Sequence, residues 1–147
     1  MANQSIVPLR PDEDIEESVA DLIRSYSPLR TSRPFFTFAS LQGQVKFMGN
    51  VRTPQERHLL AERVPHIAGV KGVDVSELYD DEQVRFAVGK VLPYGVYATV
   101  HYGAVALTGK LPEEISVESL LEQVRAVPGV RLARAQLSSS QPQPAVG

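Results

Sequence analysis

The side chains of this sequence that could do chemistry near neutral pH are, first, its three histidines. His58 and His66 lie on one predicted helix about two turns apart, too far to chelate one metal ion without further ligands. His101 lies on a predicted strand. Neither helix histidine has a carboxylate at a recognisable motif spacing, so we expect all three imidazoles to have structural roles.

The other reactive groups of the sequence form no catalytic or binding motif. Cysteine is absent, which excludes disulfides, thiolate nucleophiles and zinc sites that need sulfur. The serines lack the Gly-x-Ser-x-Gly pattern, and the glycines do not cluster into a phosphate-binding loop. The acidic run Asp12, Glu13 and Asp14 begins a predicted helix, where carboxylates complement the helix dipole more often than they hold a cation. The sequence therefore predicts a protein that is not an enzyme, with no catalytic residue, cofactor or metal.

The charge is spread evenly along the chain. The 147 residues are 43% hydrophobic, typical of a globular protein, and carry a net charge of -2. Up to Leu78 there are 9 basic and 10 acidic residues, and from Tyr79 onward there are 6 and 7. Since no basic stripe could neutralise several phosphates, the sequence predicts no nucleic-acid partner.

The sequence also bears on the expected location of the protein. The sequence contains no run of about 18 apolar residues, the length that a membrane-spanning helix needs. The first residues show no export signal. We expect a soluble protein that is cytoplasmic as written. An envelope location is the alternative if the sequence is a processed form.

Two parts of the chain resemble each other at an offset of about 60 residues, which predicts an internal duplication. The matched pairs are Gly43 and Gly103, Val45 and Val105, Phe47 and Leu107, Gly49 and Gly109, Val51 and Leu111, Val64 and Val124, Ile67 and Val127, Gly69 and Gly129, and Val70 and Val130. Three glycine pairs that coincide in one register are hard to obtain by chance. We call the two parts the first repeat (residues 12–78) and the second repeat (residues 79–137).

Each repeat has the same predicted order of helix, strand, strand, helix, strand. Apolar residues at helical spacing mark the two first helices: Ile15, Val19, Leu22, Ile23 and Tyr26, then Val84, Val88, Val91 and Leu92. Aromatic and β-branched runs predict strands at 35–41, 45–51 and 70–78, then at 96–102, 104–111 and 130–137. A capping box at Thr53 and a cap at or just before Ser116 begin the second helices. The first repeat carries about nine extra residues. We place them at 25–34, because this segment contains two prolines, Pro28 and Pro34.

Four of the matched glycines have expected structural roles. Gly49 and Gly109 lie in or at the end of a predicted strand, which favours a bulge or a close approach of two backbone segments. Gly69 and Gly129 end the second helices, where a left-handed cap favours glycine.

The pattern resembles the bacterial BON domain, here in two tandem copies. The resemblance rests on the hairpins that end in an apolar residue, any residue and glycine (Phe47-Met48-Gly49, Leu107-Thr108-Gly109) and on the Gly-Val pairs after the second helices. It implies an α+β fold with two small α/β sandwiches, each a three-stranded sheet backed by two helices. The expected organisation is an N-terminal extension (1–11), one domain at 12–78, a second at 79–137 and a mobile C-terminal tail (138–147).

The aromatic residues are the best candidates for a binding surface. Phe35 and Phe36 are adjacent in a predicted strand, so one of them must lie on the outer face or at an edge. The tyrosines of the second repeat have polar tips, a type favoured at interfaces. The predicted surface for a partner or a lipid consists of Phe35, Arg85, Lys90, Tyr94, Tyr97 and Tyr102. The alternative is that the outer rings cover the other repeat.

These features predict a non-enzymatic binding module, a protein-interaction or accessory subunit of a larger assembly. The BON resemblance implies two alternatives, a peripheral phospholipid-binding protein of the bacterial envelope or a cytoplasmic sensor of an ion or small ligand. For the lipid alternative the second repeat offers only Arg85 and Lys90 beside an apolar stripe, which is a weak attraction to an anionic membrane.

Overall fold

The computed structural model describes residues 10–139 and confirms the predicted α+β fold with two small units. Each unit is a three-stranded sheet with helices on one side. The helices are α1 (Asp12–Arg24), α2 (Ser27–Ser32), α3 (Pro54–Arg63), α4 (Asp81–Gly89) and α5 (Val117–Arg125). The strands are β1 (Phe36–Leu41), β2 (Gln44–Val51), β3 (Gly72–Asp80), β4 (Val96–His101), β5 (Ala104–Leu111) and β6 (Leu132–Ser139).

The two sheets have the same topology. The strand order is β1-β2-β3 in one sheet and β4-β5-β6 in the other, so β2 and β5 are central. In each sheet the first pair is antiparallel and the second pair is parallel. The first pairs even share their register, since Phe36 lies opposite Gly49 and Val96 lies opposite Gly109. The parallel pairs differ, because only the pair of β2 and β3 has a register shift, between Lys46 and Met48.

Each sheet closes over its own core. Buried side chains of the first core include Ile15, Ile23, Leu29, Phe47, Leu60 and Leu78, and those of the second core include Val84, Val88, Leu107, Leu120 and Val124. The alternating burial along the strands directs one face of each sheet to its helices and leaves the other face open.

The second helices begin as predicted. Thr53 caps α3 with a capping box in which the Glu56 carboxylate accepts from the Thr53 backbone N–H at 2.8 Å. Ser116 caps α5, and its hydroxyl accepts from the Ser119 N–H at 3.1 Å. Both helices end earlier than predicted, at Arg63 and Arg125, because irregular turns containing a proline follow them.

The extra residues of the first repeat form helix α2 and a 3₁₀ turn at Arg33–Phe35. Leu29 anchors this insertion in the first core, and Ser32 is completely buried. Phe35 belongs to the turn and not to β1, so the prediction that it lies in a strand is wrong.

The boundaries of several elements differ from the prediction. β3 continues through Asp80, and α4 begins at Asp81 without a loop between them. From here on, the first repeat therefore denotes residues 12–80 and the second repeat 81–139. Ser138 and Ser139, which we expected in a mobile tail, belong to β6. The rest of that tail and residues 1–9 of the expected N-terminal extension lie outside the described residues.

The four predicted structural glycines all have positive φ angles, between +90° at Gly69 and +121° at Gly49. A Cβ at Gly49 would lie 2.8 Å from the Phe36 Cα, a close approach of two backbone segments. Gly109 is similarly close to the Gly95 backbone. Gly69 and Gly129 lie in the turns beyond α3 and α5 and are not immediate helix caps.

Candidate functional site

Two of the predicted surface residues meet in the contact between the repeats. The rings of Phe35 and Tyr102 stack with their centroids 4.0 Å apart and an interplanar angle of 7°. The guanidinium of Arg131 also lies over the Phe35 ring, 5.4 Å from the ring centroid. Tyr102 is only 5% exposed. Phe35 and Tyr102 therefore cover the other repeat, which was the alternative expected for the outer aromatic rings. The prediction that Tyr102 is free to bind a partner is wrong, because the ring is buried.

Hydrogen bonds reinforce this contact. The Tyr102 hydroxyl lies 3.0 Å from the Ser32 Oγ, and the Ser32 hydroxyl also bonds to the buried Glu56 carboxylate. On the other side of the contact, the Asn50 side chain donates to the Gly129 carbonyl at 2.8 Å. Because these polar groups are buried or partly buried, each partner satisfies a group that would otherwise be costly to bury. The two repeats are thus joined by specific contacts.

The remaining four predicted residues lie together on the second repeat. Arg85 is exposed on α4 and Lys90 directly after it. Tyr94, just before β4, is 97% exposed, and Tyr97, in β4, is 65% exposed. Arg85, Tyr94 and Tyr97 line one groove of about 320 Å³ between α4 and β4. With Phe86, these residues form what we call the aromatic surface (Arg85, Phe86, Lys90, Tyr94 and Tyr97).

Phe86 is a member of this surface that the sequence analysis missed. It is 70% exposed, and the Lys90 ammonium lies 4.7 Å from the centroid of its ring. The signal was present in the sequence, because Phe86 lies outside the apolar stripe that Val84 and Val88 define on α4. A large aromatic side chain off the buried face of a helix is informative.

The histidines do not form a site within residues 10–139. His58 does have a carboxylate partner, contrary to the prediction, since its Nε2 lies 2.8 Å from the Glu62 Oε2 one helical turn away. Both side chains are exposed, and such a pair contributes little. His101 packs edge-on against the Tyr102 ring. The described residues contain no group of three or more His, Cys, Asp or Glu side chains that could hold a metal ion.

The first helix of each repeat, α1 or α4, begins with an aspartate that binds the hairpin turn of the same repeat. The Asp12 carboxylate accepts from the Ser40 hydroxyl and from the N–H groups of Gln42 and Gly43. These bonds, led by that of Ser40, lower the pKa of Asp12 below its usual value. Asp81 binds the N–H groups of Tyr102 and Gly103 in the same way. Asp12 therefore fixes local structure, beyond the dipole effect expected from the sequence.

Within residues 10–139 no helix has the length and apolar character needed to cross a bilayer.

The fold defines the class of this protein as an α+β chain with two small units in tandem. A solved structure with this fold is the C-terminal domain of CdsD from Chlamydia trachomatis, described as the structural protein of the Type III secretion system. The TM-score is 0.66 at 15% sequence identity, over 88% of this chain and 68% of that chain. Another CdsD structure from the same organism gives a TM-score of 0.38 at 13% identity, over 88% of this chain and 94% of that chain. No protein-family model and no curated protein matches the sequence.

Proposed function

We propose that the protein is a non-enzymatic binding module that joins a partner protein through the aromatic surface of its second repeat. In this proposal the two repeats are BON-like domains, and the chain is an accessory or scaffold subunit of a larger assembly. The first repeat supplies a rigid support through the Phe35–Tyr102 contact.

The observation that carries the proposal is the exposure of three aromatic rings on the second repeat. Phe86, Tyr94 and Tyr97 are each at least 65% exposed, although burying an aromatic ring is strongly favourable. Tyrosine and arginine are enriched at the centres of protein interfaces, and Arg85 lies in the same groove as two of the rings. A surface of this composition favours a protein partner.

The likeness to CdsD is consistent with such a role. CdsD is described as a structural protein of a secretion system, and the likeness extends over most of this chain. We propose that this chain also serves an assembly, without assigning it to that particular system.

A quantitative capture experiment tests the proposal. The wild-type chain, the double variant Phe86→Ser/Tyr94→Ser and the control Leu41→Ser are used as baits in lysates of the native source, and captured proteins are counted by mass spectrometry. Leu41 is a matched control because it is 74% exposed on the first repeat. We expect a partner that the wild type and the control retain and the double variant loses. The same captured proteins with all three baits would contradict the proposal.

Peripheral binding to anionic phospholipid is the second candidate function. It is favoured by the contact of Lys90 with the exposed Phe86 ring, which places a basic group beside an apolar one. Two basic residues give only about 2 kcal/mol of attraction near an anionic membrane. Flotation with vesicles containing phosphatidylserine at low salt decides this question. Flotation that Lys90→Gln and Phe86→Ser abolish would favour the lipid function, and a chain that stays at the bottom of the gradient would reject it.

A further inference from the structure

The first strand of each sheet is an edge strand, and the two edges differ. Backbone groups of β1 that point away from β2 include the Ser40 N–H and the Phe36 carbonyl, since both bond to side chains outside the sheet. The pair of β4 and β5 has the same register as the pair of β1 and β2. The equivalent groups of β4, at Val96, Ala98 and Val100, therefore point away from β5.

In the first repeat, side chains bond two of the outward backbone groups of β1, near the two ends of the strand. The Glu16 carboxylate on α1 accepts from the Ser40 N–H at 2.8 Å. The Arg33 guanidinium, which belongs to the insertion, donates to the Phe36 carbonyl at 2.7 Å. A strand edge blocked in this way by side chains is protected from pairing with another chain.

The second repeat lacks both of these side chains. Arg85 stands where Glu16 does, one residue after the aligned Val84, and a guanidinium cannot accept from an N–H. The insertion that carries Arg33 has no counterpart. Within residues 10–139 no side chain bonds to the Val96 carbonyl or to the Val100 N–H, so the edge of β4 is open.

A groove with basic surroundings runs beside this open edge. It lies between α4 and β4 and has a volume of about 320 Å³. The space beside its lining residue Gly89 is open, since a Cβ at this position would meet no atom within 4 Å. Arg85 lines the groove, Lys90 directly follows its lining residue Gly89, and no residue that lines the groove is acidic. The charge around the edge therefore favours an acidic partner.

We propose that β4 accepts a further strand from a partner protein, namely an extended acidic segment. Its backbone bonds to the open groups of Ala98 and Val100, and alternate side chains enter the groove beside Gly89. Its carboxylates approach Arg85 and Lys90. This inference rests on the proposed function and specifies how the partner is held at the aromatic surface.

Selection from a displayed library of linear peptides, with the full chain as target, tests the mode of binding. We expect enrichment of peptides that alternate acidic and apolar residues and lack a central proline, since proline cannot donate a ladder hydrogen bond. The variant Arg85→Glu recreates the arrangement of Glu16 and should close the edge. We expect it to weaken the best peptide by about a hundredfold, and the neutral Arg85→Gln by about tenfold or less. Equal enrichment on the wild type and on Arg85→Glu would overturn the proposal.

Hydrogen exchange measured by NMR on the complex with the best peptide provides the second readout. Strand addition should slow exchange of the Ala98 and Val100 amides and leave the amide of Ser40, already bonded to Glu16, unchanged. If the peptide binds with unchanged exchange at Ala98 and Val100, strand addition is rejected. The proposed function has a separate test, the capture experiment. It is rejected if the double variant Phe86→Ser/Tyr94→Ser still captures the partner.

Discussion

The two repeats share element order, sheet topology and hairpin register, and they differ at their surfaces. The first repeat has an added helix, a covered strand edge and a buried contact with its neighbour through Phe35. The second repeat has three exposed aromatic rings, and no side chain of residues 10–139 bonds to the Val96 carbonyl or the Val100 N–H. In the function that we propose, the first repeat supports the structure and the second repeat binds the partner.

The hairpin turns show the same contrast at single residues. Gln42 and Tyr102 are the two non-glycine residues with positive φ in the described chain, at +52° and +49°. Both turns are held by an aspartate at the start of a helix, yet Gln42 is exposed and Tyr102 is buried against the other repeat. One backbone conformation thus serves a free turn in one repeat and an interface in the other.

The largest expected effect comes from Tyr102→Ala. Loss of the buried ring, its stacking on Phe35 and its bond to Ser32 should lower the free energy of unfolding by about 3 kcal/mol. Gln42→Ala, at the equivalent turn, should change it by less than about 0.5 kcal/mol. Urea unfolding followed by circular dichroism measures both. Similar losses in the two variants would show that the contact between repeats adds no stability.

A smaller difference is expected between the two helix caps. Thr53→Ala removes the capping box and a partner of the buried Glu56 carboxylate, which should cost about 1.5 kcal/mol. Ser116→Ala removes a single exposed hydrogen bond and should cost about 0.5 kcal/mol. Thermal unfolding of both variants ranks them, and the opposite order would contradict a supporting role for the first repeat.

The smallest effect depends on pH and concerns Asp12. Its folded-state pKa is lowered, first by the bond from Ser40, so its stabilising contribution is present above the unfolded-state pKa. That contribution is lost as the pH falls through the folded-state pKa. Asp12→Asn should therefore be less stable than the wild type at pH 7, and the difference should shrink in acid.

Asp14→Asn is the control for this prediction, because it removes the same charge from the same helical turn at an exposed position. Urea midpoints between pH 7 and pH 2.5 give the comparison. If Asp14→Asn reproduces the pH dependence of Asp12→Asn, the helix dipole explains the effect and the hairpin bonds do not.

Much of the fold followed from local patterns in the sequence. The duplication, the capping box at Thr53 and the positive φ at Gly129 are properties of neighbouring residues, which the sequence displays directly. The ends of strands were less predictable, since β3 reaches Asp80 by pairing with β2 and not by its own pattern. Arg85, Lys90, Tyr94 and Tyr97 could be named in advance as candidates by residue type. Phe86 was not predicted, because it lies outside the apolar stripe of Val84 and Val88 that marks the buried side of α4.

The sequence by itself determined that two similar α+β units occur, since periodicity and glycine positions act over short distances. Only the tertiary structure decided that Tyr102 is buried and Tyr97 exposed, because burial depends on which surfaces meet. The charges show the same limit. They are even along the chain, yet the fold leaves β4, β5 and β6 without a carboxylate side chain and places Arg85 beside an open strand edge. Packing sets the distances between residues that are remote in sequence, and it therefore decides which aromatic rings are buried between the repeats and which stay exposed.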